Sequence, residues 1–127
     1  MSRIAMLAGG LLIGGALAFH QPASAGEDSK FQASAHLYDT YCAQCHGVQR
    51  NGKGVNTVGL SVQPRDHSDH EGMKSLPIEE MTKAIREGGG SVNKSALMPA
   101  WGSVLTDDQI TDMVAYLRKV CRCDDEK

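Results

Sequence analysis

Aromatic residues are scarce in this chain. They make up 5% of 127 residues, with a single tryptophan and two phenylalanines. A domain near 100 residues that has so few large rings cannot fill much of a core from its own side chains. No stretch alternates as a strand would, and no segment repeats. Basic charge is not in excess either: 13 Lys and Arg face 15 Asp and Glu. That balance argues against nucleic acid, whose binders present a basic surface. The longest uncharged apolar run, Ile4 to Phe19, has 16 residues, short of the ~20 that a membrane-spanning helix needs.

That run reads instead as the middle of an export signal. Arg3 precedes it, His20-Gln21-Pro22 breaks it, and Ala23-Ser24-Ala25 is an A-x-A cleavage pattern. The expected organisation is a signal peptide over residues 1–25 and one domain over residues 26–127. No twin arginine is present, so the general route for unfolded chains is expected, with a periplasmic destination. Removing Arg3 with the leader takes the formal charge from −2 to −3.

The chemistry is concentrated in Cys42-Ala43-Gln44-Cys45-His46. This is the C-x-x-C-H pattern of covalent haem attachment. Cys42 and Cys45 would add to the two vinyl groups, and His46 would supply one axial nitrogen. The competing readings are a thioredoxin-like redox pair and half of a zinc site. The adjacent histidine counts against the first. Cys121 and Cys123, one residue apart, are poorly spaced to complete the second. A haem would also supply the apolar volume that the composition lacks.

Around this motif the pattern is helical. Phe31, Ala35, Tyr38 and Cys42 recur on one face of a helix expected from about Lys30 to Tyr41. A second helix is expected over Pro77 to Glu87, with Ile78, Met81 and Ile85 inward and Gly88-Gly89-Gly90 ending it. The last helix opens on Thr106-Asp107-Asp108-Gln109, a capping box, and carries the stripe Ile110, Met113, Val114, Leu117 and Cys121. Between Gly47 and Gly72 no regular element is evident. A loop this long makes sense if it wraps a bound group. Arg65 within it could pair with a haem propionate. Asp66-His67-Ser68-Asp69-His70-Glu71 could bind a copper or zinc ion weakly, or stand as plain solvated surface.

A second axial ligand is expected at Met98, 52 residues beyond His46. It lies outside every helix stripe, and Pro99 biases it toward extended backbone. Met73 reads as a polar-loop residue and Met113 as core. His67 or His70 would give bis-histidine ligation instead. Met/His ligation raises the reduction potential.

Together these residues resemble a class I cytochrome c. The likeness rests on Tyr38 and Cys42 to Gly47, on Ile85-Arg86-Glu87-Gly88-Gly89, and on Met98-Pro99-Ala100-Trp101. It extends through Leu105 to Ile110 and Val114-Ala115-Tyr116-Leu117. It implies an all-α fold of three to five short helices and long loops around one covalently bound haem c. It also implies that the first and last helices cross, with Tyr38 meeting Tyr116 or Leu117. The family's frequent glycine eight residues before the first cysteine is Ser34 here, and Val55 stands where many members have proline. Trp101 is expected at the haem periphery, its N–H free for a propionate.

The function implied is single-electron transfer between redox protein partners such as a dehydrogenase, oxidase or reductase. The protein would act as a free monomeric carrier or as the haem subunit of a complex, and not as an enzyme itself. The alternative is a haem enzyme or ligand-sensing module with a displaceable methionine. The Cys121-Arg122-Cys123 tail departs from the family. A local disulfide, a cross-link to another chain and free thiols remain open for it.

Overall fold

Helices supply all the regular structure of the computed structural model, which describes residues 24–125. In order they are α1 (Ser24–Tyr41), α2 (Ala43–His46), α3 (His70–Lys74), α4 (Ile78–Glu87) and α5 (Asp107–Val120). Two short 3-10 helices, Val55–Thr57 and Gly89–Val92, lie in the connections. The all-α expectation therefore holds among the described residues. The leader assigned to residues 1–25 lies outside them, except for Ser24 and Ala25, which open α1.

α5 begins as its sequence dictates. The Thr106 hydroxyl accepts from the Gln109 backbone N–H at 3.2 Å, and the Gln109 side chain accepts from the Thr106 N–H at 2.9 Å. Two orphan donors are thus satisfied reciprocally. The stripe behind the cap is buried throughout, from Ile110 at 0% exposure to Cys121 at 2%.

α1 packs across this helix. Phe31 meets Tyr116 at 4.9 Å between ring centroids, and Tyr38 meets Tyr116 at 5.9 Å, both tilted. Ser34, on the same face of α1, is buried. Its small side chain leaves room for the neighbouring helix. Lys30–Asp112 at 3.1 Å and Lys119–Glu27 at 3.9 Å flank the crossing. Both pairs are largely solvent-exposed, so they orient the helices more than they stabilise them.

Three local expectations need correction. The segment from Gly47 to Gly72 contains the 3-10 turn at Val55–Thr57, and α3 starts at His70. α3 is barely longer than one turn and carries Gly72, so no apolar periodicity announces it. Ile78 is 53% exposed, because it is the first residue of α4; Leu76 packs against the core there instead. Pro77 is the N-cap of α4 and not its first helical residue. Its carbonyl accepts from both Glu80 and Met81 at 3.1 Å.

The tail is resolved as a local disulfide between Cys121 and Cys123, both buried. Arg122 turns the chain with φ 53°, which brings the two Cα atoms to 5.1 Å. The His70 Nδ1–H donates to the Cys121 carbonyl at 3.0 Å, joining α3 to the end of α5.

Replacing Ser34 by Leu should overpack the α1–α5 crossing and lower stability by about 1–3 kcal/mol. The reading is the urea midpoint, with the denaturant slope unchanged.

Candidate functional site

The helices surround a cavity of about 400 Å³ with a mainly apolar lining, a size typical of cofactor pockets. Cys42, Cys45, His46, Arg65, Met98 and Trp101 all line it. Of the two histidines named as alternative ligands, His67 is on its wall and His70 is not.

α1 ends at Tyr41, and the chain continues through Cys42 into the single turn of α2. The Cys42 carbonyl accepts from the backbone N–H groups of Cys45 and His46, at 3.2 and 2.9 Å. This turn puts Cys42, Cys45 and His46 on the same wall. The chain then folds back on itself. Gly52 N–H donates to the His46 carbonyl at 2.9 Å, and Gly54 N–H donates to the Cys45 carbonyl at 3.0 Å. A Cβ at Gly54 would lie 2.3 Å from the Gln44 carbonyl oxygen, so only glycine allows this approach.

Cys42 and Cys45 are free thiols. Burial, and then the neighbouring Cys45, push the Cys42 thiol up to about 11. Among the described residues the two thiols belong to no group of His, Cys, Asp or Glu side chains that could hold a metal ion, so the donor set fits haem attachment and not zinc.

His46 donates its Nδ1–H to the backbone carbonyl of Arg65 at 3.1 Å. A carbonyl only accepts, so the proton is on Nδ1 and the lone pair is on Nε2. Burial lowers the pKa of the ring, and the Arg65 bond partly opposes this. A neutral imidazole with an oriented Nε2 is the form that ligates iron. The carbonyl that orients it belongs to Arg65, a backbone role that the sequence did not disclose.

Four methionines line the cavity: Met73, Met81, Met98 and Met113. Met73 is 1% exposed, so it is core and not a polar-loop residue as its neighbours suggest. Met81 and Met113 are buried at 4% and 1%. Met98 is half-buried and is tied to the end of α4, its carbonyl accepting from Gly89 N–H at 3.1 Å. Trp101 follows the same path, with its backbone N–H donating to the Ile85 carbonyl at 2.9 Å and its ring tilted against Tyr41 at 5.3 Å.

The polar run from Asp66 to Glu71 does not converge. Asp66 Oδ1 accepts from the N–H and hydroxyl of Ser68, at 2.8 and 2.6 Å. His67 turns into the cavity wall, while His70 faces the Cys121 carbonyl. Among the described residues no group of three His, Cys, Asp or Glu side chains could hold a metal ion.

Arg50, which sequence reasoning passed over, braces the site from behind. It donates from Nε to the Tyr116 hydroxyl at 2.6 Å and pairs with Asp39 at 2.9 Å. Its guanidinium lies 4.8 Å from the Tyr38 ring centroid, within cation–π range. Its place between Gln49 and Asn51 gave no signal of this.

Two thiols and an oriented imidazole on one wall of an apolar cavity define a c-type haem pocket, and the protein is a c-type cytochrome. The family model described as cytochrome c oxidase, cbb3-type, subunit III matches residues 29–117, and the chain belongs to that family. Cytochrome c6 of Bryopsis maxima is 30% identical over 93 residues, covering 69% of this chain and 89% of that one. The quinohemoprotein alcohol dehydrogenase ADH-IIG of Pseudomonas putida is 29% identical over 98 residues, covering 77% of this chain. The match spans 12% of the dehydrogenase's own length. The solved KustC0563 c-type cytochrome superposes with a TM-score of 0.55 at 25% identity, over 68% of this chain and 95% of that one. The cofactor is accordingly covalently bound haem c, and the protein transfers electrons.

Burial beside His46 and Arg65 pushes His67 down to about 3, from an ordinary value near 6.5. As pH falls, the unfolded chain takes up this proton first. The stability contributed by the neutral ring is whole above about pH 6.5 and should be lost progressively toward pH 3. Urea midpoints measured across that window should fall, and His67→Phe should flatten the fall.

Proposed function

We propose that Cys42 and Cys45 attach the haem through thioethers and that His46 Nε2 and Met98 Sδ are its axial ligands. When bound, the haem supplies a one-electron ferric/ferrous couple. The protein's part is to hold both ligands still in either state, so that little rearranges when the electron moves.

The observation that carries this reading is the accessibility of the cavity-lining methionines. A sulfur that bonds a guest must keep surface free for it. Met73, Met81 and Met113 are 1–4% exposed and packed by neighbouring side chains. Met98 is the cavity-lining methionine that is only half-buried. Bis-histidine ligation has less support: the His67 ring is stacked on His46, and His70 is absent from the cavity wall. Arg65 and Trp101 are assigned to the haem edge, where the guanidinium and the indole N–H would meet propionates.

Val62 and Leu97, exposed at the cavity mouth, give the apolar rim on which a redox partner would dock. We assign the protein to the periplasm, as a carrier between a dehydrogenase and an oxidase or reductase. The leader-like residues 1–25 support the compartment. The likeness to cytochrome c6 supports a free carrier, and the likeness to part of a quinohemoprotein dehydrogenase supports service to such an enzyme. Among the described residues no helix is long and apolar enough to cross a membrane.

Met98→Ala should open the sixth coordination position, lower the reduction potential and let the reduced protein bind carbon monoxide. Met73→Ala should cost stability, by about 2–5 kcal/mol as for other buried methionines, without carbon monoxide binding. Spectra of both variants with and without the gas decide between them; carbon monoxide binding only in Met73→Ala would reassign the ligand. Gly89→Ala should act on Met98 indirectly. Its new Cβ would lie 2.3 Å from the Ser95 carbonyl oxygen and 3.1 Å from Met98 Cβ. A partial loss of the low-spin spectrum, smaller than in Met98→Ala, is the expected reading.

A further inference from the structure

His67 has no part in attachment or ligation, yet it lies against the histidine that does. Its ring is 4.4 Å from the His46 ring, centroid to centroid, and within 14° of parallel. Its backbone N–H donates to the Arg50 carbonyl at 2.7 Å. Its Nδ1 lies 3.1 Å from the Tyr38 hydroxyl, which is also 3.4 Å from the His46 carbonyl. Its ring meets the Tyr38 ring edge-on at 5.8 Å. The residue is thus held at backbone, ring edge and ring nitrogen.

An imidazole bonded to iron through Nε2 keeps one soft motion, rotation of its plane about that bond. The hydrogen bond from Nδ1 to the Arg65 carbonyl restrains this rotation at the ring edge. A flat wall against the ring face resists it strongly. The torsion that turns a histidine ring is broad by itself, so an unanchored wall would turn with its neighbour. The Tyr38 hydroxyl supplies the anchor. Residues 65 to 67 therefore deliver two complementary restraints to one ring, the carbonyl at its edge and the imidazole on its face.

We propose that His67 is the positioning residue that sets the plane of the His46 imidazole, acting as a flat wall pinned by Tyr38. This rests on His46 being the axial ligand. In a low-spin ferric haem the ligand plane selects which π-symmetry iron orbital holds the unpaired electron. It thereby selects which porphyrin edge carries most spin density. His67 would bias the edge through which the electron leaves, in addition to stabilising the fold.

The test uses the matured holoprotein. Proton NMR of the ferric state reads the hyperfine shifts of the haem methyls, and electron paramagnetic resonance reads the g anisotropy. In His67→Ala the methyl shifts should redistribute and the g anisotropy should change, with haem still attached and low-spin. His67→Phe, which keeps a flat ring but lacks the nitrogen that Tyr38 holds, should return the shifts only part of the way toward wild type. Tyr38→Phe, which removes the pin but keeps the ring, should displace them in the same sense as His67→Ala and by less. Wild-type shifts in His67→Ala, or an equal displacement in His67→Ala and His67→Phe, would overturn the proposal. If His67→Ala does not mature, His67→Phe and Tyr38→Phe decide alone. Shifts displaced in the same sense in both variants support the pinned wall, and wild-type shifts in either overturn it. Failure of the ligand reading is seen separately, in the wild-type protein, as iron that is not low-spin or not histidine-bound.

Discussion

A cavity in the middle of a small core is the constraint to which the rest of this structure answers. The helices are short and the rings few, so side chains from opposite walls cannot close the space between them. The chain instead lines it with half-buried donors and braces each wall separately. One wall is α1 and α2 with the loop folded behind them. Another is the end of α4 with the segment from Ser95 to Trp101. α5 backs the core through Met113 and Leu117, which reach the cavity, and Tyr116, which meets α1. Covalent haem completes such a core, and this makes the cofactor part of the fold as well as its function.

The bracing is polar and mostly uses the backbone. The carbonyl of Arg65 orients His46, the carbonyl of Arg50 receives His67, and the carbonyls of Ile85 and Arg86 receive Trp101 and Gly102. Arg50 ties the Tyr116 hydroxyl of α5 to Asp39 of α1 from beneath the Tyr38 ring. These contacts join segments far apart in the chain, and each ends near a group that faces the cavity. Rigidity is what electron transfer asks of the protein, since a coordination sphere that moves little between oxidation states costs little to reorganise.

Part of this was readable beforehand. The attachment motif is five consecutive residues, and the α5 cap is four, so neither depends on anything distant. The stripes on α1 and α5 and the ring pair of Tyr38 with Tyr116 follow from helical spacing and family likeness. Other features were not readable. Met73 looks polar in its neighbourhood because Gly72 and Lys74 flank it, yet it is core. His67 sits in a run of charges that reads as surface. Arg50 carries no pattern at all. In each case burial comes from elements that are remote in sequence, and hydropathy averaged along the chain cannot register them.

The chain alone therefore determined the chemistry: thiols, imidazole and thioether are side-chain identities, and their attachment spacing is local. Tertiary structure decided the supports. Every residue has a carbonyl, so nothing in the letters singles out the one 19 residues past His46 that accepts from its Nδ1–H. Nor could spacing tell that Met73 is core, or that a turn at Arg122 brings two cysteines together. Those outcomes depend on which backbones meet once α1 and α5 have crossed, and only the folded chain brings them within reach.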